Sequence, residues 1–216
     1  MMKKTTLSTA MVAALGGVSM VAHAGTGSLN FTAGAPVVTS CLLGTTPPCA
    51  STVLNVTDMG GSFFTMDTNG NGSVEKSEKN AISQFAALDF GGAQLATGAH
   101  TGAPDGSESP AIDNPWNFNG NAGMHTNLST IDVTANDGAG TLALDMSGWG
   151  VAWGPFSGAD AASTIPMGGT ATMVCSTAAC TAGNTYTLDM AVHVPAAFTS
   201  VPYTIHLEGT IATDID

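Results

Sequence analysis

Apolar and polar residues alternate over most of the second half of the chain. The alternating segments are residues 129–134, 142–146, 171–175, 186–194 and 203–211. Because successive side chains of a β-strand point to opposite faces of the sheet, each segment predicts a strand with one buried face. Turn residues such as Asn136-Asp137-Gly138 separate the segments, and many short strands of this kind indicate an antiparallel β-sandwich or jelly roll.

The alternation changes phase at Ser147-Gly148, after which Trp149, Val151 and Trp153 face the same way. A shift of one residue beside a glycine predicts a β-bulge. Shorter alternating runs at residues 29–32 and 51–57 predict further strands near the start of the chain.

Residues 62–88 show a different pattern. Residues 75–88 contain no Gly or Pro, and helical spacing places four apolar side chains on one face: Ala81, Ile82, Phe85 and Leu88. This predicts a helix over residues 75–88, preceded by a shorter helix over Ser62–Met66. Residues 91–128 have no periodicity and many turn residues, which predicts a long irregular loop. We therefore expect one β-sandwich domain over residues 25–216, with a helical insertion at 62–88 and the loop at 91–128.

The first 24 residues predict a secretory signal peptide. They combine the basic Lys3-Lys4 pair, a short apolar run over residues 10–22 and the cleavage signal Ala22-His23-Ala24. We therefore expect cleavage after Ala24 and a secreted, periplasmic or cell-surface location. No later apolar run has membrane-spanning length, so we expect no transmembrane anchor.

Charge and cysteine content narrow the function classes. All 16 acidic residues follow position 24, but only Lys76 and Lys79 do so among the basic residues, and the chain has no arginine. Such a surface cannot neutralise phosphates, which excludes a nucleic-acid partner, and it suits divalent cations. The four cysteines form two close pairs, Cys41 with Cys49 and Cys175 with Cys180. Of the three connectivities possible, we favour these local disulfides.

The most specific motif is the twelve-residue stretch from Asp67 to Glu78. Oxygen-bearing residues stand at its positions 1, 3, 5, 7, 9 and 12: Asp67, Asn69, Asn71, Ser73, Glu75 and Glu78. Ca²⁺ is a hard cation that takes six to eight oxygen ligands, and Gly72 at position 6 permits the sharp turn that such a loop needs. The stretch therefore predicts a Ca²⁺ site.

This stretch resembles the calcium loop of the EF-hand superfamily, including dockerin-type loops of secreted bacterial proteins. The resemblance implies that Ser73 binds through its carbonyl, Glu75 directly or through a water, and Glu78 with both carboxylate oxygens. Lys79 departs from the family, which usually has an apolar residue after position 12. Because positions 3 and 5 are Asn and the loop occurs once, we expect a weak, structural site and not a sensor.

Two further clusters of polar residues could either form a functional site or have only a structural role. Asp189, His193, His206 and Glu208 lie on neighbouring predicted strands, where they could bind a transition metal or form a solvated sheet face. The irregular loop carries six other candidates: His100, Asp105, Glu108, Asp113, Trp116 and His125. These could bind or hydrolyse a polysaccharide, or the loop could cover the core with Trp116 inserted in it.

Two hypotheses from different classes follow. The first is a secreted calcium-binding protein with a structural role or a role in binding surface or matrix partners, in which Ca²⁺ stabilises the fold. The alternative is a secreted hydrolase or carbohydrate-binding protein that acts on polysaccharide through residues 91–128. No recognisable catalytic motif is present, so we expect no enzymatic activity.

Overall fold

The computed structural model describes residues 23–41, 54–96, 112–154, 164–197 and 200–215. These residues form β-strands and one 3₁₀ helix, Lys76–Glu78, without any α-helix. The strands are β1 His23–Ala24, β2 Ser28–Phe31, β3 Ala35–Cys41, β4 Leu54–Gly60, β5 Phe63–Met66, β6 Lys79–Ala81, β7 Leu88–Asp89, β8 Trp116–Phe118, β9 Asn121–Asn127, β10 Asp132–Asn136, β11 Thr141–Asp145, β12 Trp149–Trp153, β13 Ile165–Pro166, β14 Thr170–Cys175, β15 Thr185–His193 and β16 Pro202–Thr213. The prediction of a mainly β protein is confirmed.

The strands form two main antiparallel sheets and a separate ribbon. The large sheet has the order β1-β10-β11-β14-β15-β16-β2-β7, and β5 joins it by pairing with both β16 and β6. The small sheet has the order β13-β12-β9-β8, and β3 pairs with β4. One hydrophobic cluster contains side chains of both sheets, such as Leu188 and Ile205 of the large sheet and Trp149 and Val151 of the small one. This arrangement is consistent with a β-sandwich.

The longest strand, β16, organises the large sheet. It pairs with β15 on one side, while β5 and β2 share its other side. Its predicted inward face is confirmed, because Tyr203, Ile205, Leu207 and Ile211 are all buried. Burial of each such side chain is worth about 1.5–3 kcal/mol relative to exposure, so this strand supplies a large share of the core.

The change of phase at Ser147-Gly148 marks a crossing between sheets. These residues form a turn between β11 of the large sheet and β12 of the small sheet, and the Trp149 amide donates to the Met146 carbonyl at 2.9 Å. The predicted bulge is therefore wrong. The phase changes because the core lies on opposite sides of the chain before and after the crossing.

The predicted helical insertion at residues 62–88 is also wrong. Phe63–Met66 is strand β5, and it pairs with β6 where the second helix was expected. Ile82 and Leu88 are buried as predicted, but Phe85 is 53% exposed. Adjacent aromatic residues favour a strand, and pairing with β16 outweighs a helical pattern that a short isolated segment could not stabilise alone.

The predicted irregular loop at residues 91–128 contains strands β8 and β9, joined by Asn119-Gly120. Both turn residues have positive φ, 51° and 80°, as a two-residue hairpin turn requires. An Asn-Gly pair between two strand segments is a hairpin signal, and the Gly- and Asn-rich composition around it concealed it. Residues 97–111 of this segment lie outside the described residues.

One of the two predicted disulfides is present. Cys175 is bonded to Cys180 and closes the connection between β14 and β15. Cys49 lies outside the described residues, so the Cys41–Cys49 pair stays a prediction. The same holds for residues 1–22 of the predicted signal peptide, while its last residues, His23 and Ala24, pair with β10. In the part of the chain that the structure describes, no helix has the length and apolar character to span a membrane.

Gly123 tests how closely the small sheet is packed. It lies opposite Trp116 in the β8–β9 pair, and a Cβ atom at this position would overlap the Trp116 ring. We expect Gly123→Ala to lower the free energy of unfolding by about 1–3 kcal/mol through overpacking, as measured by urea denaturation. Gly92→Ala is the control, since a Cβ atom there meets nothing within 4 Å. Equal effects of the two variants would contradict the interpretation.

Candidate metal centre

The stretch from Asp67 to Glu78 connects the two strands of the β5–β6 hairpin. Thr65 and Lys79 are directly paired just outside its ends. The Asp67 amide also donates to the Pro202 carbonyl of β16 at 3.1 Å. Both ends of the loop are therefore fixed to the large sheet, although by strands and not by the helices that flank an EF-hand loop.

The loop folds around the carboxylate of Asp67, which is only 4% exposed. Oδ1 accepts from the amides of Gly70 and Asn71 at 2.7 and 3.3 Å, and Oδ2 accepts from the amide of Gly72 at 2.7 Å. Gly72 has a φ of 84°, in the left-handed region that favours glycine. The conformation predicted for position 6 is thus present.

Glu78 closes the loop from its other end and is 6% exposed. Its Oε1 accepts from the Thr68 amide and hydroxyl at 2.7 and 2.8 Å and from the Asn69 amide at 3.2 Å, while Oε2 accepts from the Glu75 amide at 3.0 Å. Burial raises the pKa of Glu78, but these hydrogen bonds outweigh it, and the pKa lies below its ordinary value of 4.5. Glu78 is therefore a carboxylate at neutral pH.

The remaining predicted ligands lie between these two carboxylates. Asn69 Oδ1 accepts from the Asn71 amide at 2.9 Å, and Asn71 Oδ1 accepts from the Ser73 amide and hydroxyl at 2.9 and 2.8 Å. Glu75 accepts from the Asn71 side-chain amide at 2.7 Å. The structure therefore brings all six predicted ligand residues into one compact loop, with the two end carboxylates buried and the middle exposed.

The predicted donor set of this loop consists of oxygens, the ligand type that Ca²⁺ takes. Among the described residues, Asp67, Glu75 and Glu78 included, no three histidine, cysteine or carboxylate side chains come together as a metal-ligating group. The predicted Ca²⁺ set has a different character, because it adds two Asn side chains and the Ser73 carbonyl to its carboxylates. All of these are the hard oxygen ligands that Ca²⁺ prefers. Asp67 Oδ2, Asn69 Oδ1 and Glu78 Oε2 each accept one hydrogen bond and therefore keep a second lone pair.

Lys76 and Lys79 anchor the loop to strand β4. Both pair with the Asp58 carboxylate, at 3.0 and 2.7 Å, and Lys79 also lies 4.0 Å over the Phe63 ring. Hydrogen bonds from Lys79 and then Lys76 hold the pKa of Asp58 well below its ordinary value of 3.8. Lys79, the residue after position 12 of the loop, therefore joins the loop to β4 through Asp58 and packs over Phe63.

The second predicted cluster forms only in part. Asp189 and His206 are directly opposite on β15 and β16, with His206 Nδ1 2.7 Å from Asp189 Oδ1 and Nε2 3.8 Å from Glu208 Oε2. His193 lies at the end of β15, opposite Pro202. The four residues therefore do not converge, and His206 instead stacks on Phe63 with ring centroids 5.0 Å apart.

Three residues that the sequence suggested as loop candidates form a buried polar network. Asp113 and His125 are completely buried, with His125 Nδ1 2.6 Å from Asp113 Oδ2. The His125 amide and the Trp116 indole N–H also donate to Asp113, at 2.8 and 3.0 Å. His125 Nε2 lies 2.9 Å from the Tyr203 hydroxyl, which accepts from the Trp149 indole at 3.3 Å. The sequence pattern contained no signal for Tyr203 and Trp149 as polar partners.

This network bears on the polysaccharide hypothesis. Trp116 is 9% exposed and its indole N–H is bonded to Asp113, which is completely buried, so neither the indole N–H nor this carboxylate is free to bond a sugar. His100, Asp105 and Glu108, the other candidates, lie outside the described residues. No carboxylate pair suited to glycoside hydrolysis is therefore found in the described part of the segment.

Comparison of the chain with protein-family models, curated proteins and solved structures finds no match. A β-sandwich supports many unrelated functions, so the fold alone does not identify one. The features that bear on function are the loop, the buried network and the surfaces that the described residues form.

Two Asp–His pairs of similar geometry provide a matched test of burial. We expect Asp113→Ala to lower the free energy of unfolding by about 3–5 kcal/mol, because it leaves buried donors without an acceptor. Asp189→Ala removes the carboxylate 2.7 Å from His206. Because the Asp189 side chain is 66% exposed, this change should lower the free energy of unfolding by less than about 1 kcal/mol. Urea denaturation of both variants measures the two changes in the free energy of unfolding. If Asp113→Ala lowers it by no more than Asp189→Ala does, the buried network does not stabilise the core.

The lowered pKa of Asp58 predicts a pH dependence of stability. Because the folded-state pKa lies below 3.8, the stability that this carboxylate contributes is present above pH 3.8 and is lost as the pH falls through the folded-state value. Thermal melts of Asp58→Asn should therefore show a lower melting temperature than wild type at neutral pH, and this difference should disappear in strong acid. Lys79→Met, which removes a cationic partner of Asp58, should show the same pH-dependent difference from wild type. A difference in melting temperature that does not change with pH would contradict the stabilising role of the ionised Asp58.

Proposed function

We propose that this chain is a secreted calcium-binding protein in which Ca²⁺, held by the loop from Asp67 to Glu78, stabilises the β fold. The observation that carries the proposal is the pair of buried end carboxylates, Asp67 and Glu78, around which the loop backbone is wrapped. Asn69, Asn71, the Ser73 carbonyl and Glu75 would complete the oxygen ligands. Their modest total charge favours a weak site suited to calcium-rich surroundings outside the cell.

The position of the loop supports a structural role for the ion. The loop closes the β5–β6 hairpin, which among the described strands pairs with the rest of the large sheet through β5 and β16. An ion bound between the two ends of the loop would oppose separation of these strands. Because the unfolded chain does not hold the ligands together, binding would stabilise only the folded state.

The outer face of the large sheet supports a role in binding polar partners, such as glycans or matrix and surface proteins. A shallow groove of about 620 Å³ runs beside the loop over strands β14 to β16. Threonine side chains of β14 and β16, Thr170, Thr172 and Thr204, line it together with Asp189 and His206. Hydroxyl, carboxylate and imidazole groups can exchange hydrogen bonds with a polar partner.

Calcium should raise the melting temperature of the chain. When free Ca²⁺ exceeds its Kd by roughly 100-fold, linkage adds about 2.7 kcal/mol to the free energy of unfolding. For a domain of this size, that corresponds to a rise of roughly 5–10 °C. The measurement is a pair of thermal melts in calcium and in chelator, together with a calorimetric titration. Flat results in both experiments would contradict the proposal.

Variants of the end carboxylates make the test specific. Asp67→Asn and Glu78→Gln should remove the calcium-dependent rise. Asp137→Asn is the matched control, because Asp137 Oδ1 also accepts amide bonds within its own turn, from Ala139 and Thr141 at 2.7 and 2.9 Å. It should lower the basal melting temperature but keep the calcium-dependent rise. If Asp67→Asn keeps the rise as well, the ion binds elsewhere.

A further inference from the structure

A cavity of about 430 Å³ lies between the two sheets, next to the calcium loop. Five aromatic side chains line it: Phe64 and Tyr203 of the large sheet and Trp116, Phe118 and Trp153 of the small sheet. Aliphatic side chains, including Val151 and Val201, and two methionines form most of the rest of the lining, and Asp67, Thr68, Gly70 and Asn119 complete it. The cavity is roughly three times the ~150 Å³ of an apolar cavity that holds benzene, and it falls in the range of small-molecule sites.

The polar atoms of the aromatic lining are already engaged within the protein. The Trp116 indole N–H donates to Asp113 and the Trp153 indole N–H to the Phe118 carbonyl, at 3.0 and 3.2 Å. The Tyr203 hydroxyl lies within hydrogen-bond distance of His125 and the Trp149 indole. These rings therefore present carbon surface to the cavity, which suits an apolar occupant and not a sugar.

Charge around the cavity restricts the ligand further. None of the described residues that line it is basic, and one of them, Asp67, is acidic. The Asp67 oxygens already accept amide bonds from Gly70, Asn71 and Gly72, and the Thr68 hydroxyl donates to Glu78. An anionic head group would find no cation among the described lining residues, so charge complementarity favours a neutral molecule.

We infer that this cavity is a binding site for a neutral apolar small molecule with fused or linked rings, larger than benzene. Aromatic walls give such a ligand contact over its ring faces, and the ligand loses no hydrogen bonds on leaving water. The lining is a property of the apo chain, but Ca²⁺ bound at Asp67 would place a cation beside the cavity, so the probes are compared in chelator and the inference is tested without the proposed calcium function.

Two fluorescent probes with nearly the same ring skeleton test the inference. N-phenyl-naphthylamine is neutral, and anilinonaphthalene sulfonate carries a negative charge. We expect saturable binding of the neutral probe at one site per chain, with energy transfer from the tryptophans. The sulfonated probe should bind more weakly by about tenfold or more, equivalent to ~1.4 kcal/mol.

Three Val→Phe variants locate the binding site. Val151→Phe adds volume to the cavity from the small sheet, and Val201→Phe adds volume from the opposite wall. Because Val201 is only half-buried, the fold should tolerate the larger side chain better there. Each should weaken binding of the neutral probe by about tenfold or more. Val174→Phe is the control on the outer face, where Val174 is 47% exposed, and should leave binding unchanged. Circular dichroism confirms folding of each variant.

Four outcomes would overturn the inference. The first is the absence of saturable binding, which would mean that the chain itself fills the cavity. The second is equal affinity for the two probes, and the third is unchanged affinity in both filling variants. The fourth is dissociation of a dimer by the neutral probe in sedimentation experiments, since a second copy of the chain would then be the natural occupant.

Discussion

A completely buried carboxylate has to be satisfied by donors that the fold itself supplies, and Asp113 imposes this constraint on the sandwich. Its donors come from Trp116 in β8 and His125 in β9 of the small sheet. His125 then reaches the Tyr203 hydroxyl on β16 of the large sheet. The network crosses the apolar core, so the sheets can slide past each other only by breaking buried polar contacts. Apolar packing holds the sheets together, and the network fixes their relative position.

The same strand, β16, connects this network to the loop from Asp67 to Glu78 and to the cavity. At Tyr203, β16 carries the end of the network and part of the cavity wall, and the adjacent Pro202 carbonyl accepts the amide of Asp67. Asp67 is in turn both the first residue of the loop and part of the cavity rim. A ligand at either site therefore contacts groups whose positions β16 determines. Coupling between the proposed sites would need no long pathway, because one short backbone segment belongs to both.

Local features of the structure were predictable from sequence, and features that depend on distant partners were not. Alternation identified β14, β15 and β16, and the twelve-residue spacing placed Gly72 where a positive φ is needed, because both patterns describe neighbouring residues. The flanking helices failed because the choice between helix and strand at Phe63–Met66 depends on β16, well over a hundred residues away. The burial of Asp113 and His125 could not be predicted either, because their network includes Tyr203, which is distant in sequence. The phase change at Ser147-Gly148 was visible, but only the two-sheet arrangement explains it.

The twelve-residue loop stands between two paired strands, where an EF-hand loop has two helices. Flanking helices hold the first and twelfth positions of an EF-hand loop together, but any rigid connection between its ends would serve. Here the Thr65–Lys79 pair provides that connection. Both lysines of the region are engaged by Asp58, so neither neutralises Asp67, Glu75 or Glu78. Loop amides satisfy the end carboxylates by hydrogen bonding but leave their charge in place. A bound divalent cation would supply the positive charge that an arginine-free, strongly acidic chain does not provide from its own residues.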